Sequence, residues 1–506
     1  MQKHSLIAVA VALLAAGCTM APHYERPAAP VTATFPTGGV YDTQPGAPGA
    51  RSANGQAAAD IGWREFFVDQ RLQRLIEIAL KNNRDLRVSV LNMQASAAQY
   101  RIVRAGLFPT LNAAGSQSRQ RTPRDLLISP NGPTISNTYS VGLNASWEID
   151  FFGRVQSLKD QALATYLGTA QARKAAEISL VSQVANQYLT LLELDDLLKV
   201  TQDTLTNAQE SYRITKLQFD NGTGSELDLR QAQTVVETAS ANLQAQARLR
   251  AQAENALVLL VGEPLPADLP PGLQLNDQNL LTDIPAGLPS DLLTRRPDIM
   301  EAEENLLAAN ANIGAARAAF FPKVSLTGSF GTLSPTLGGL FKPGSAAWSF
   351  APSITLPIFE GGQNIANLNL ANIEKNVQIA TYEKAIQTAF REVADGLAAR
   401  GTYDQQIQAL ERNTSAEQRR LDLSNLRYKN GVDSYLSVLT AQTDLYSSQQ
   451  SLITARMQRL ENLVTLYQAL GGGWIEHTGD QPRPADAPVD YGAASAPVAA
   501  SAATAG

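Results

Sequence analysis

Residues 139–151 alternate in character. Tyr139, Val141, Leu143, Ala145, Trp147, Ile149 and Phe151 fall on one face, and Ser140, Gly142, Asn144, Ser146, Glu148 and Asp150 on the other. A period of two with one apolar and one polar side predicts a strand. Aromatics on one side and acids on the other suit a lipid-facing strand around a wet lumen. A second such stretch carries Trp348, Phe350, Ile354, Leu356 and Ile358 on one face, and two more follow Pro109 (Leu111, Ala113, Gly115) and Pro322 (Val324, Leu326, Gly328, Phe330). Their length is about the 9–11 residues that cross a bilayer. A soluble antiparallel sheet with one buried face would show the same alternation.

Between the strands the period changes. Ile178, Val181, Ala185, Tyr188 and Leu192 are spaced three and four apart. Leu439, Tyr446, Ile453, Leu460 and Tyr467 recur every seven residues, beside Val438, Leu445, Leu452 and Leu466. Two adjacent heptad stripes predict a helix with neighbours on two sides, as in a closed ring, although an antiparallel coiled-coil hairpin has the same period. The chain holds 26 prolines, yet none lies between Pro133 and Pro264 or between Pro357 and Pro482. Proline breaks helix interiors, so these two blocks read as very long helices of about 100 Å at about 1.5 Å per residue.

The pattern is written twice. Phe219-Asp220-Asn221-Gly222 recurs as Tyr428-Lys429-Asn430-Gly431, 209 residues later, and Gly153 and Gly262 recur as Gly362 and Gly471. Phe108-Pro109 recurs as Phe321-Pro322, 213 residues later. Such self-similarity marks a duplication. It predicts a first repeat at 61–262 and a second at 291–473, each a helix, two strands and a long helix pair. A Pro-rich connector fills 263–290, a linker 18–60 and a disordered tail 474–506. The fold class is mixed α and β, mainly α. The Pro/Gly/Ser-rich stretches Thr122–Asn137 and Leu333–Ala346 are hairpin loops.

The N-terminus changes the picture. Lys3, the apolar run Leu6–Ala16 and the small residues before Cys18 form an export signal over 1–17, too short to span a bilayer. Cys18 is the single cysteine, which excludes an intramolecular disulfide and makes it the candidate for acylation, a palmitate-type anchor. With three histidines and no HExxH or phosphate loop, neither a metal centre, a cofactor nor catalysis is expected; the covalent lipid at Cys18 is the one added group. A net charge of −6 argues against nucleic acid. A coiled-coil adhesive lipoprotein would not need the alternating strands, and paired glycosidase carboxylates lack any supporting constellation. Four strands cannot close a membrane barrel, so the barrel must be shared; two copies give eight strands and three give twelve.

Six motifs in order resemble the outer-membrane factor family, the TolC-like channels and their lipoprotein branch (OprM-like): Pro22-His23-Tyr24-Glu25-Arg26-Pro27, WEIDFFGR (147–154), GLPSDLLTRRPDI (287–299), AAFFPKVSLTGSFG (318–331), PSITLPIFEGG (352–362) and YKNGVDSYLSVLTAQ (428–442). The resemblance implies a homotrimer with a long coiled-coil helical barrel and a twelve-strand transmembrane antiparallel β-barrel. Lipid-anchored in the outer membrane and reaching into the periplasm, it would conduct drugs and other small molecules passively from an inner-membrane pump of the RND type through a periplasmic adaptor. It places the periplasmic gate on Leu436, Asp228, Thr440, Thr443, Ser437 and Tyr428, with Leu436 an apolar plug and Asp228 an acidic ring that favours cations. Thr440 and Thr443 stand where the family commonly has charged residues. Adaptor contacts would come from the tips Asn221, Gly222, Thr223 and Gly224, and Asn430, Gly431, Val432 and Asp433. Trp147, Phe151, Trp348 and Phe350 would form the aromatic membrane belt.

Overall fold

The computed structural model describes residues 19–41, 54–126, 133–481 and 483–486. Cys18 lies outside them. Its elements, in order, are α1 (Trp63–Phe66), α2 (Gln70–Asn82), α3 (Arg84–Ala105), β1 (Thr110–Arg121), β2 (Ile135–Ile149), α4 (Arg154–Asp220), α5 (Glu226–Val261), α6 (Pro289–Arg295), α7 (Pro297–Ala318), β3 (Lys323–Ser334), β4 (Ala346–Thr355), α8 (Gln363–Lys429) and α9 (Tyr435–Ala469). The helices α3 and α7 have 22 residues each, and α4 and α8 have 67 each. No helix among the described residues is long and apolar enough to cross a membrane.

Two compact units divide the chain. The first comprises 1–28, 92–169 and 301–382 and contains the sheet, whose order is β1-β2-β3-β4 with every neighbour antiparallel. The register puts the apolar positions in rows: Leu143 pairs Phe330, which pairs Trp348, and Trp147 pairs Leu326. The opposite face carries a hydroxyl ladder, with Ser116 to Ser140 at 2.7 Å, Ser329 to Ser349 at 2.7 Å and Ser325 to Ser353 at 2.8 Å. β1 and β4 are each paired on one side only within the chain.

Where β2 meets α4, the sequence WEIDFFGR becomes a joint. Gly153 takes φ +69°. The Asp150 carboxylate accepts from the Arg154 and Gln156 amides, both at 2.7 Å, satisfying donors that the helix start leaves open. Glu148 pairs with Arg154 and Lys323, each at 2.9 Å. In the same unit the segment after residue 18 lies along α7. Arg317 donates to the Met20 carbonyl, Asn310 to the Pro22 carbonyl, and Tyr24 and Arg26 to Glu303. This part of the linker is therefore docked, because its motif side chains find partners on a helix about 280 residues away.

The second unit, 29–91, 170–300 and 383–506, holds the helical core. The heptad positions Ile178, Val181, Ala185, Tyr188, Val438, Leu445, Leu452, Ile453, Leu460, Leu466 and Tyr467 are buried, whereas Leu192, Leu439 and Tyr446 are half-buried. Asp69 caps α2 and also accepts from the Tyr188 hydroxyl, the Leu273 amide and Gln278. That one buried carboxylate ties α2, α4 and the connector. The connector is not loose chain: Leu275, Leu280, Leu281 and Ile284 are buried, and α6 begins at Pro289, ahead of the expected boundary.

The disordered tail expected over 474–506 is corrected for residues 474–481 and 483–486; residues 487–506 lie outside the described residues. Trp474 and Ile475 are buried, and the Trp63 amide donates to the Ile475 carbonyl at 2.9 Å. Trp474 packs under the cationic groups of Arg483, Lys174 and Arg173, at 4.4, 5.3 and 5.6 Å from the ring. An aromatic quadrupole holds cations well where water is excluded. Glu177, buried between Arg173 and Arg483, pairs with both and offsets part of this positive charge.

Glu193 of α4 provides a pH test. It is buried, accepts from Thr454 at 2.8 Å, and faces the charge of Glu461. Burial pushes its carboxyl above the usual range, the Thr454 hydrogen bond opposes this, and Glu461 adds to the rise. Below the ordinary carboxylate range the group is neutral in both folded and unfolded chains. As pH climbs through the raised folded value it must ionise while buried, and stability is lost. Glu193→Gln should therefore stabilise the protein at pH 7.5 by about 1 kcal/mol. The gain should vanish near pH 4, as read by urea unfolding at both pH values. An equal gain at both would exclude titration as the cause.

Candidate functional site: membrane face and hairpin tips

On the sheet, Trp348 is 77 % exposed, Phe350 64 % and Phe330 68 %, all in the apolar rows. Trp147 is partly covered and donates its indole N–H to the Leu107 carbonyl at 3.1 Å. Phe151 is exposed but lies beyond the end of β2, in the turn before Gly153, so it does not share the strand face with Trp147. Leu356 and Ile358 likewise fall past the end of β4. The alternation outran the strands because it continues into the joints. Phe341 and Phe359, 78 % and 88 % exposed, were not foreseen; they sit in a loop and a turn, where no period marks them.

In the second unit each long helix reverses in a tight turn. Gly222 and Gly431 take φ +72° and +69°, which glycine adopts without a Cβ penalty. The two turns are built alike. The Thr223 amide donates to the Gln218 carbonyl at 2.9 Å, and the Val432 amide to the Arg427 carbonyl at 3.0 Å. The Asn221 and Asn430 side chains each cap their own helix, 2.7 Å from the Leu217 and Leu426 carbonyls. Asn221, Gly222, Thr223, Asn430, Gly431 and Val432 are exposed, and Gly224 and Asp433 are half-buried. Gly224 packs where a Cβ would come 3.1 Å from the Phe219 amide nitrogen. Arg427 grips Asp433 through two hydrogen bonds of 2.5 and 2.9 Å, which stiffens the second tip.

Just behind the tips, Tyr428 donates to Gln218 at 2.9 Å and joins the two helix hairpins. Its ring lies 5.3 Å from that of Tyr435, which is buried with Ala232 and Val438. Burial, and then the charge of Asp228, push the Tyr428 phenol above its ordinary value; Tyr435 is pushed up to about 12, chiefly by burial. Both remain neutral at physiological pH. Asp228 is half-buried in the first turn of α5, its amide capped by Ser225 at 3.1 Å, where the helix dipole favours an acid. Leu436 is 53 % exposed, and Ser437 is exposed beside it. Thr440 and Thr443 donate back to the Leu436 and Leu439 carbonyls at 2.9 and 3.0 Å. Gln218 and Tyr435 belong to this cluster but were not singled out beforehand. Tyr435 lies three residues before Val438 of the heptad stripe and was legible from it; Gln218, one repeat away, was not.

A four-stranded lipid-suited sheet, paired 67-residue helices and reversed hairpin tips define an outer-membrane efflux channel of the TolC-like class, a conduit rather than an enzyme. The comparisons agree. The family model described as "Outer membrane efflux protein" matches residues 75–263 and 288–472, and the chain belongs to that family. It is 50 % identical over 478 residues to the probable efflux pump outer membrane protein TtgC of Pseudomonas putida, covering 94 % of this chain and 97 % of that one. It is 45 % identical over 470 residues to the outer membrane protein OprJ of Pseudomonas aeruginosa, covering 93 % and 96 %. Among solved structures, the open state of the Neisseria gonorrhoeae MtrE outer membrane channel superposes with a TM-score of 0.80 at 43 % identity, covering 92 % of this chain and all of that one. The protein is an outer-membrane efflux channel that extends into the periplasm.

Proposed function

We propose that three copies assemble into one channel that takes drugs and other small molecules from an inner-membrane pump of the RND type, handed on by a periplasmic adaptor. The observation that carries this reading is the open sheet. An unpaired strand edge cannot face lipid, so β1 of one copy must pair with β4 of the next; the resemblance to the TolC-like channels selects three copies, which close twelve strands. The exposed stripe Ile365, Ile373 and Val377 on α8 supports a neighbour there. Native mass spectrometry of the purified full-length chain should give three protomers; a stable monomer or dimer that conducts ions would overturn the reading.

The tips Thr223–Gly224 and Val432–Asp433 meet the adaptor. A Thr223→Cys variant carrying a photo-crosslinker in intact cells should capture a periplasmic adaptor; a well-folded oligomer that captures only itself removes that role. Cys18 is acylated and anchors the chain to the membrane. Support comes from its neighbour Thr19, whose hydroxyl lies 3.2 Å from Ser157 near the start of α4, and from Met20 beside the sheet end of α7.

Leu436 and Asp228 form the constriction, and the Tyr428–Gln218 bond helps hold it shut. Tyr428→Phe removes one hydrogen bond of about 1 kcal/mol, which raises the open population of each protomer about fivefold. Single-channel recording in planar bilayers should register a higher open probability. If neither this variant nor Leu436→Ser changes the time-averaged current, the gate lies elsewhere.

A further inference from the structure

We propose that the outer end of β1 binds the phosphate of an anionic outer-leaflet lipid through Arg119 and Arg121. The proposal rests on the reading that the aromatic face of the sheet meets lipid, and it adds a headgroup preference to that face.

The distribution of charge motivates it. The chain as a whole carries −6. Residues 117–139 and 331–348 link β1 to β2 and β3 to β4 at the strand ends away from the helices. They carry the opposite sign: Arg119, Arg121, Arg124 and Lys342 against Asp125, four bases less one acid, or +3. Arg119, Arg121 and Arg124 are exposed, and among the described residues none of them pairs with an acid. The loop 334–346, which a neighbouring copy's β4 would bring beside β1, contains Lys342 and no acid, so closure of the barrel does not neutralise them.

Register decides which side the cations occupy. Arg119 stands opposite Asn137 and Arg121 opposite Ile135, continuing the row in which Ala113 pairs Leu143, Gly115 pairs Val141 and Gln117 pairs Tyr139. Opposed residues share a face, so both arginines are on the apolar side. On the polar side the same stretch pairs Ser118 with Thr138 and Gln120 with Ser136, without a charge. Hydration alone would suit arginine on either side; a ligand at the lipid boundary requires this one. The height also fits. At about 3.4 Å per residue and a tilt of about 40°, Tyr139 stands about 21 Å above Trp147 along the membrane normal, close to the height of an apolar band. The rows of Arg119 and Arg121 lie about 5 and 10 Å higher, at the level of the headgroups. Residues two apart on a strand are separated by about 7 Å, so two guanidinium forks can converge on one phosphate. Below them Tyr139 and Val141 offer acyl chains an apolar wall, which free phosphate would leave uncovered.

The test uses the full-length oligomer in dodecyl maltoside with EDTA, and two probes: bisphosphorylated lipid A and the same lipid with both phosphates removed. Bound lipid is counted by native mass spectrometry. The phosphorylated lipid should be retained in preference to the phosphate-free one, and excess inorganic phosphate should not displace it. Each cation at an anionic lipid surface is worth about fivefold in affinity, so the double variant Arg119→Gln, Arg121→Gln should bind about thirtyfold more weakly. The double lysine variant keeps the charges without the forks and should fall in between. Gln120→Ala, on the polar side, should bind as the unmodified protein does. Equal retention of the two lipids, displacement by inorganic phosphate, or unchanged binding in the double glutamine variant would each overturn the proposal. If the glutamine variant does not assemble, the two-lipid comparison and the lysine variant decide. Trp348 is exposed on the sheet, whereas Trp63 and Trp474 are buried. Quenching of tryptophan fluorescence by brominated acyl chains therefore reports separately on the aromatic face. Quenching without a phosphate preference removes this proposal alone; no quenching removes the reading beneath it.

Discussion

Gly331→Val should abolish insertion of the protein into the outer membrane. Gly331 stands directly opposite Gly142 in the β2–β3 ladder. A Cβ built at Gly331 would lie 2.3 Å from the Val141 carbonyl oxygen and 2.5 Å from the Gly142 Cα, and one at Gly142 would lie 2.7 Å from the Phe330 carbonyl oxygen. These are backbone atoms, so no rotamer change relieves the clash and the strands must part. In a soluble sheet, water would take up the freed groups. In lipid each unsatisfied amide or carbonyl costs several kcal/mol, and the loss is repeated in every copy. Gly328→Ala is the control, since its Cβ would meet nothing nearer than 3.4 Å. Outer-membrane fractions probed for the protein should contain it for Gly328→Ala and not for Gly331→Val. Normal insertion of Gly331→Val would mean that the two strands are not held this closely.

Arg296→Ala should lower stability by about 2–3 kcal/mol, close to the lower end of what breaking a buried ion pair costs. Arg296, in the run GLPSDLLTRRPDI, is 8 % exposed. Its guanidinium reaches Asp298 at 2.6 Å, Glu392 at 2.7 Å and the Ala469 carbonyl at 3.1 Å. It thereby ties the start of α7 to α8 and to the last turn of α9. Both acids are more than a third exposed and would regain water, which keeps the loss from being larger. For a chain of 506 residues the thermal midpoint should fall by about 2–3 °C. Arg296→Lys keeps the charge but loses the planar fork, and should fall in between. A midpoint unchanged in Arg296→Ala would show that this junction is held by its apolar contacts.

Much of this protein is readable without coordinates, for a physical reason. Strand alternation, the exclusion of proline from long helices and the positive-φ turns at Asn221-Gly222 and Asn430-Gly431 are local constraints, expressed within a few residues. The duplication sharpened them: helix starts at Arg84 and Pro297 keep the 213-residue offset, and those at Arg154 and Gln363 the 209-residue offset. Alternation also fixed which face each strand residue takes, so Leu143, Phe330 and Trp348 fall on one side, but it did not fix their partners, because a slip of two residues keeps the same faces. Boundaries were less legible, as Phe151 shows, because an alternating pattern carries no mark where pairing stops.

Tertiary structure alone decided what depends on residues far apart in the chain. Nothing near Trp474 reveals that Arg173 and Lys174 will lie against its ring, and so the tail read as disorder. Nothing near Tyr24 or Arg26 points to Glu303. The opposition of Gly142 to Gly331 and the Tyr428–Gln218 tie each join segments about 190 residues apart or more. Such pairings are set by how helices and strands pack, and packing leaves no periodic trace in either partner.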